Sequence, residues 1–344
     1  MARVRCIMMQ RDEQLLLDAW VRHYAYLFGF ENILIFDNGS TDPAVLDILT
    51  QYETAGVSIL REHNRIEDFH GKNDHFRNVI SNWDTQGDYD FVLPLDCDEF
   101  LGVCTKTGVS FSRSAIHAHF NALLGERRAL KISPCLFNIP DIPAGFRACH
   151  LTKTFVAART LQTLDHGFHA ATSNAETGWR ETDFVYMHMH NKPFALLCEH
   201  ARRKLAYYVD ITDHKALSAY CGPGHHLAPY LLTDEQAWKE NLRKGHLFRI
   251  PSFITHMQAL GIRSAYFGSD KTTSHSGDAT HLLDIGSNAY IHEEIFDPQK
   301  WRQNHPDSPA TFKACLKSRS CRQGFSSLFS KPLWKHQKNS LLGT

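Results

Sequence analysis

The chain has 344 residues, 43% hydrophobic and 22% charged, the balance of a soluble globular protein with ample core, which excludes disordered and fibrous classes. Lys+Arg and Asp+Glu both number 37, so the formal net charge is zero and no global field draws in nucleic acid. Nine cysteines without a Cys-x-x-Cys pair fit a reducing cytoplasm better than a disulfide scaffold or zinc ribbon, and no apolar run approaches the ~18–20 residues that cross a bilayer.

The first apolar run, Val4–Met9, reads as a strand rather than a signal peptide. Residues 13–27 carry Leu16, Leu17, Trp20, Tyr24 and Leu27 at helical spacing, and Gly29 closes that helix. Residues 32–36 form a second strand, and Asp37-Asn38-Gly39-Ser40-Thr41-Asp42 a dense turn; Pro43 then suits the first turn of a helix to about Tyr52. Residues 57–60 read as a third strand and 72–83 as a third helix. Phe91-Val92-Leu93-Pro94-Leu95 is a fourth strand, ending abruptly in Asp96-Cys97-Asp98-Glu99. Alternating strands and helices predict an α/β fold, a Rossmann-like, mostly parallel sheet covered by helices on both faces, with functional groups at the carboxyl ends of the strands. Further on, 129–132, 153–157 and 184–188 read as strands, 194–208 and 234–246 as helices, and 268–287 as loop. The expected organisation is a domain over 1–215, an extension over 216–310 packed on it, and a basic tail over 311–344.

Asp96-x-Asp98 is the sharpest chemical feature. Two carboxylates one residue apart at a strand end hold a hard divalent cation while leaving positions open for phosphate oxygens. A solvated acidic turn is the plain alternative. Here the buried strand before the pair and Glu99-Phe100-Leu101 after it favour a site. The Asp37–Asp42 loop is, alone, an ordinary turn; beside Asp96-x-Asp98 it reads as a nucleotide-contacting loop.

Together these residues resemble the GT-A glycosyltransferases, most closely the family-2-like and family-92-like branch. The resemblance rests on Arg11-Asp12-Glu13, Trp20-x-x-His23, Gly29, the Phe36–Asp42 loop and Leu95-Asp96-Cys97-Asp98-Glu99-Phe100-Leu101. It extends through Gly167-Phe168-His169, after Lys153 and Arg159, to His188-Met189-His190-Asn191-Lys192-Pro193-Phe194. Arg11-Asp12, Met189 and Pro193 depart from that pattern, which has Lys-Asn, Tyr and Ser there. Beyond about residue 215 no resemblance is apparent.

The resemblance implies a hexosyltransferase-type enzyme that moves a sugar from a nucleotide-sugar donor to a hydroxyl of a glycan or lipid-linked acceptor, with inversion, as in polysaccharide biosynthesis. It implies Mn²⁺ or Mg²⁺ on Asp96, Asp98 and His188, imidazole favouring Mn²⁺. Arg11, Glu13, Asp37, Asn38, Ser40, Lys72 and Asp96 would contact the nucleotide-sugar, Lys72 at the diphosphate. Asp183 is the expected base among the acids Glu176, Glu181 and Asp183. If residues 184–190 continue as strand, His190 faces away from His188.

Two other readings stand beside this one: a histidine-rich metallohydrolase using some of the 22 histidines, and a non-catalytic nucleotide- or carbohydrate-binding module on the same fold. The expected location is the cytoplasm. In the tail, Phe325, Leu328, Phe329, Leu333 and Trp334 interleave with lysines, suiting peripheral contact with the inner face of a membrane.

Overall fold

A computed structural model describes residues 1–140, 142–267, 289–292, 296 and 298–304. The predicted 268–287 loop and the 311–344 tail lie outside the described residues.

Strands β1 (Val4–Gln10), β2 (Ile33–Asp37), β3 (Ser58–Leu60) and β4 (Phe91–Leu95) lie where the apolar runs place them. They pair in parallel in the spatial order β3-β2-β1-β4. Burial on both faces explains why each reads as a continuous apolar run. Cys6, Met8, Ile33, Ile35, Leu93 and Leu95 enter one core, while Ile7, Met9, Leu34, Phe36 and Val92 enter the other. Helices α1 (Leu17–Phe28) and α2 (Pro43–Thr54) cover the first face. After α3 (Ile66–His70), α4 (Lys72–Gln86) covers the second through Phe76 and Ile80. Pro43 opens α2 as expected, and the Asp42 side chain accepts from Ala44 N and Val45 N.

β5 (Glu99–Thr105) and β6 (Gly108–Ser110) leave this sheet and begin a second, with α5 (Arg113–Ala122) after them. The chain then alternates between layers. β7 (Ala129–Ile132) belongs to the first sheet, β8 (Cys135–Asn138) and β9 (Gly145–Cys149) to the second, and β10 (Lys153–Ala157) returns to pair antiparallel with β4. A ribbon of β11 (Leu161–Leu164) and β12 (Ala171–Ser173) precedes β13 (Trp179–Glu181), at the first sheet's edge. β14 (Phe184–His188) lies between β8 and β5. The α/β class and the helices on both faces follow the sequence; the second, largely antiparallel sheet is an addition to it.

Helices α6 (Phe194–Leu205), α7 (His214–Ala219), α8 (Ala228–Leu232) and α9 (Glu235–Leu242) follow. The predicted 234–246 helix stops early because Leu247–Arg249 pair with β9 as part of β15 (Gly245–Arg249). α10 (Pro251–Ala259) packs Phe253 and Met257 into the main core, β16 (Ala289–His292) pairs with β15, and α11 (Pro298–Asn304) adds Trp301. No helix among the described residues is long and apolar enough to cross a membrane.

Candidate active site

The order β3-β2-β1-β4 reverses direction at β1, so the carboxyl ends of β1 and β4 flank a topological switch point. The loops leaving these strands carry Asp12 and Glu13, and Asp96, Cys97 and Asp98. β2 ends beside them in the Asp37 turn.

That turn is an interlocked polar network. Asp37 Oδ1 accepts from Ser40 N at 3.1 Å, Ser40 Oγ at 2.5 Å and Gln10 Nε2 at 2.9 Å, and Ser40 Oγ accepts from Asp12 N at 2.9 Å. Asp12 takes a positive φ of 51°, which places its Oδ1 to accept from Thr41 N at 2.7 Å and Asp42 N at 2.9 Å. Burial works against the charged Asp12, but these backbone donors win and lower its pKa. Gly39 has φ of 76°, and a Cβ there would sit 2.9 Å from Asn64 O, so shape and space both require glycine. Asn38 Nδ2 donates to His63 O at 2.7 Å and Arg65 O at 2.8 Å, binding the turn to the loop before α3. Arg11 stands at the lip with its side chain 52% exposed.

Asp96 is held by two ammonium groups. Lys72 Nζ donates to Oδ1 at 2.8 Å and Lys153 Nζ to Oδ2 at 2.7 Å. Lys153 also meets Glu99 Oε1 at 2.8 Å and donates to Gly167 O at 2.9 Å. Burial disfavours the Asp96 charge, yet Lys153 and Lys72 hold its carboxyl well below the usual range. Lys153 is pushed the opposite way, above an ordinary lysine, because Asp96 and Glu99 outweigh its own burial. Glu99 is fully buried, and that burial raises its pKa despite Lys153. The Gly167-Phe168-His169 motif builds this cradle. Gly167 supplies a carbonyl, the Phe168 ring lies 4.4 Å from Lys72 Nζ, and His169 Nδ1 bonds Thr152 O at 2.8 Å.

Asp98 belongs to a different group. His188 Nε2 lies 3.1 Å from its Oδ2 and His190 Nδ1 lies 3.7 Å from the same atom. Burial would raise the Asp98 carboxyl, but His188 and His190 lower it well below its ordinary range; His188 is raised in turn by Asp98 against its own burial. The main chain locks the pair: Glu99 and His188 are register partners in β5 and β14, and Met189 N donates to Asp98 O at 2.7 Å. The expectation that His190 faces away is corrected. β14 ends at His188, alternation stops there, and His190 returns to Asp98, its Nε2 3.0 Å from Tyr230 Oη. Burial lifts the Tyr230 hydroxyl to about 12.

Glu13 is ion-paired with Lys192, and burial raises its pKa even so. Lys204 of α6 is lowered by burial and by Lys72, and His166 is pushed down to about 4 by burial and the same lysine. The structure therefore gathers Glu13, Asp37, Asn38, Ser40, Lys72, Asp96, Asp98 and His188 around the switch point. It does not bring Asp183 there. Asp183 precedes β14 at the end opposite His188, roughly 16 Å away at strand rise, and its Oδ2 lies 3.8 Å from His119 Nε2. Sequence reasoning set His190 aside, missed Tyr230 and Lys204, and placed Lys153 only within a motif.

One carboxylate and two imidazoles, their ligand atoms all within 4.8 Å of one another, suit a divalent ion. The mixed oxygen–nitrogen donor set fits Mn²⁺ better than Mg²⁺. His188 Nδ1 is buried with no hydrogen-bond partner among the described residues, and Nε2, facing Asp98, is the nitrogen positioned to ligate.

Fold and site together define an α/β chain with a carboxylate–imidazole cluster at the switch point of a parallel sheet. No protein-family model matches the chain, and no curated protein does. Among solved structures it is similar to residues 1–349 of S. aureus TarS, at 17% identity and a TM-score of 0.27, over 38% of this chain and 35% of that one. It is also similar to glucosyl-3-phosphoglycerate synthase from Mycobacterium tuberculosis in complex with Mn²⁺, UDP and phosphoglyceric acid, at 10% identity and a TM-score of 0.31, over 57% and 73% of the two chains. A cytidylyltransferase from Leptospira borgpetersenii matches at 14% identity and a TM-score of 0.23, over 38% and 54%.

Proposed function

We propose that this protein is a GT-A-type, metal-dependent glycosyltransferase that moves a sugar from a nucleotide-sugar to an acceptor hydroxyl with inversion, the acceptor being a glycan or lipid-linked. The observation that carries the reading is the side-by-side arrangement of the Asp98–His188–His190 cluster and the lysine-clamped Asp96 at the switch point. Asp98, His188 and His190 would hold the cation, which when bound would neutralise charge on the departing diphosphate. Asp96, fixed by Lys72 and Lys153, would contact the ribose of a bound donor. Lys72 and Lys204 supply positive charge on the diphosphate side; Lys153, 2% exposed and fully engaged, positions Asp96 instead. The Gln10–Asp37–Ser40 network forms the wall against the nucleoside, with Asn38 fixing its outer loop and Arg11 and Glu13 at its mouth. The extension after residue 215 contributes Tyr230 to the His190 side of the site.

One observation favours a second reading: two histidines and a carboxylate on one ion also form the ligand set of a metallohydrolase. Incubating the purified protein with a panel of nucleotide-sugars, with Mn²⁺ or with chelator, separates the two. Metal-dependent release of nucleoside diphosphate from one donor, abolished in Asp98→Ala and His188→Ala, supports the transferase. Donor binding without turnover in the presence of acceptors points to a binding module. Neither binding nor turnover refutes the transferase and promotes the hydrolase.

A further inference from the structure

The loop before α3, α3 itself and the first turn of α4 bring together three side chains, those of His63, Asp68 and His75, with no part in the site above. Asp68 Oδ1 lies 3.7 Å from His63 Nδ1 and 3.3 Å from His75 Nε2, and the three ligand atoms all lie within 4.8 Å of one another. A tetrahedral ion with bonds of about 2.0–2.1 Å sets its ligands about 3.3–3.4 Å apart, so both edges through Asp68 are already near that spacing.

The surroundings support these three groups as ligands. Asp68 Oδ2 accepts from Arg65 N at 2.9 Å, which leaves Oδ1 turned toward the imidazoles. Glu62 Oε1 lies 3.9 Å from Nε2 of His63, the ring nitrogen away from Asp68, beyond hydrogen-bond reach but adding negative charge beside the ring. Phe36 backs both rings, with centroids 5.3 Å from His63 and 6.2 Å from His75. The side chains of His63, Asp68 and His75 keep 28%, 22% and 21% exposure, leaving one side open to solvent.

We propose that His63, Asp68 and His75 form a second metal site, which takes Zn²⁺ or a similar first-row cation with water as the fourth ligand. Two imidazoles and a carboxylate favour such an ion over Mg²⁺ or Ca²⁺, which prefer oxygen-only shells. The ion clips the loop held by Asn38, through the carbonyls of His63 and Arg65, to α4, whose first residue Lys72 pairs with Asp96. It thereby braces the wall of the nucleoside pocket from outside.

The test uses Co²⁺ as probe on the full chain carrying Asp98→Ala and His188→Ala, which removes the other cluster. The expected result is one equivalent of bound Co²⁺ with the visible bands of a tetrahedral ion, displaced by Zn²⁺. Adding His63→Ala and His75→Ala should remove that equivalent. No Co²⁺ bound before the histidines are changed, or an equivalent retained after, overturns the proposal. Should the quadruple variant not fold, the single addition of His75→Ala to the Asp98→Ala, His188→Ala chain decides: loss of its Zn²⁺-dependent rise in Tm upholds the site, and a retained rise or no rise before the change overturns it. None of these readouts depends on sugar transfer.

Discussion

Replacing Lys153 with methionine keeps most of the side-chain volume and removes one buried charge. In the wild type its ammonium contacts Asp96 at 2.7 Å, Glu99 at 2.8 Å and Gly167 O at 2.9 Å while 2% exposed. Without it, Glu99 is left buried beside another carboxylate, and Asp96 keeps only Lys72. Breaking a buried ion pair from one side typically costs about 3–5 kcal/mol, so Lys153→Met should lose about that much stability at pH 8. The pH dependence carries a sign. Wild-type Asp96 has a lowered pKa, so its ion pair contributes fully above the ordinary carboxylate range and is lost as pH falls. In the variant Glu99, already raised by burial, loses the ammonium that opposed that rise, so its protonation favours the folded state more strongly than in the wild type. The deficit should therefore shrink between pH 8 and pH 5. Urea unfolding of Lys153→Met, Glu99→Gln and the double variant at both pH values gives the coupling; the double variant should recover part of the loss. A cost under about 1 kcal/mol at pH 8, or a deficit independent of pH, would refute the account of Lys153 as the counterion of both acids.

Three further outcomes are expected. Tyr230→Phe removes the hydroxyl 3.0 Å from His190 Nε2 and should weaken Mn²⁺ binding about 10–100-fold, measured by EPR of free Mn²⁺; unchanged affinity would show that Tyr230 does not orient His190. Asn38→Ala leaves the His63 and Arg65 carbonyls without their amide donor and should cost about 1–3 kcal/mol in urea unfolding. His256 is pushed down to about 4 by burial, its Nε2 2.9 Å from Nδ1 of the buried His23. Below pH 6.5 the unfolded imidazole takes a proton that the folded one refuses, so stability falls with pH. Between pH 7 and pH 5, thermal or urea unfolding of His256→Phe should show a loss smaller than wild type by about 2 kcal/mol.

The parallel half of the fold was legible because its strands are buried on both faces. Each is an apolar run stopped by turn residues, and Phe91–Leu95 was bounded to the residue. The loops of the candidate site are legible because two of them occur together, each following directly on a buried apolar run. What escaped depends on distant partners. Lys153 and Asp96 are 57 residues apart, and Glu13 and Lys192 are 179 apart, and no local pattern announces either pair. His190 was misjudged because alternation was extended past the residue where β14 stops. Asp183 is the expected base because the resemblance puts acceptor-side acids just before the His188 strand, but β14 carries Asp183 and His188 to opposite ends of the sheet.

β4 and β5 lie in different sheets, and only Asp96, Cys97 and Asp98 separate them. Asp96 is tethered to the first layer through Lys153 on β10, and Asp98 to the second through His188 on β14. The acidic turn is thus a short rivet between two plates, and its two carboxylates keep their spacing only while the plates keep theirs. Phe155 and Phe184, their rings 6.0 Å apart, pack between those same layers. Trimming either ring should therefore detune ion binding with every ligand intact, making the cluster a gauge of how the two layers are seated.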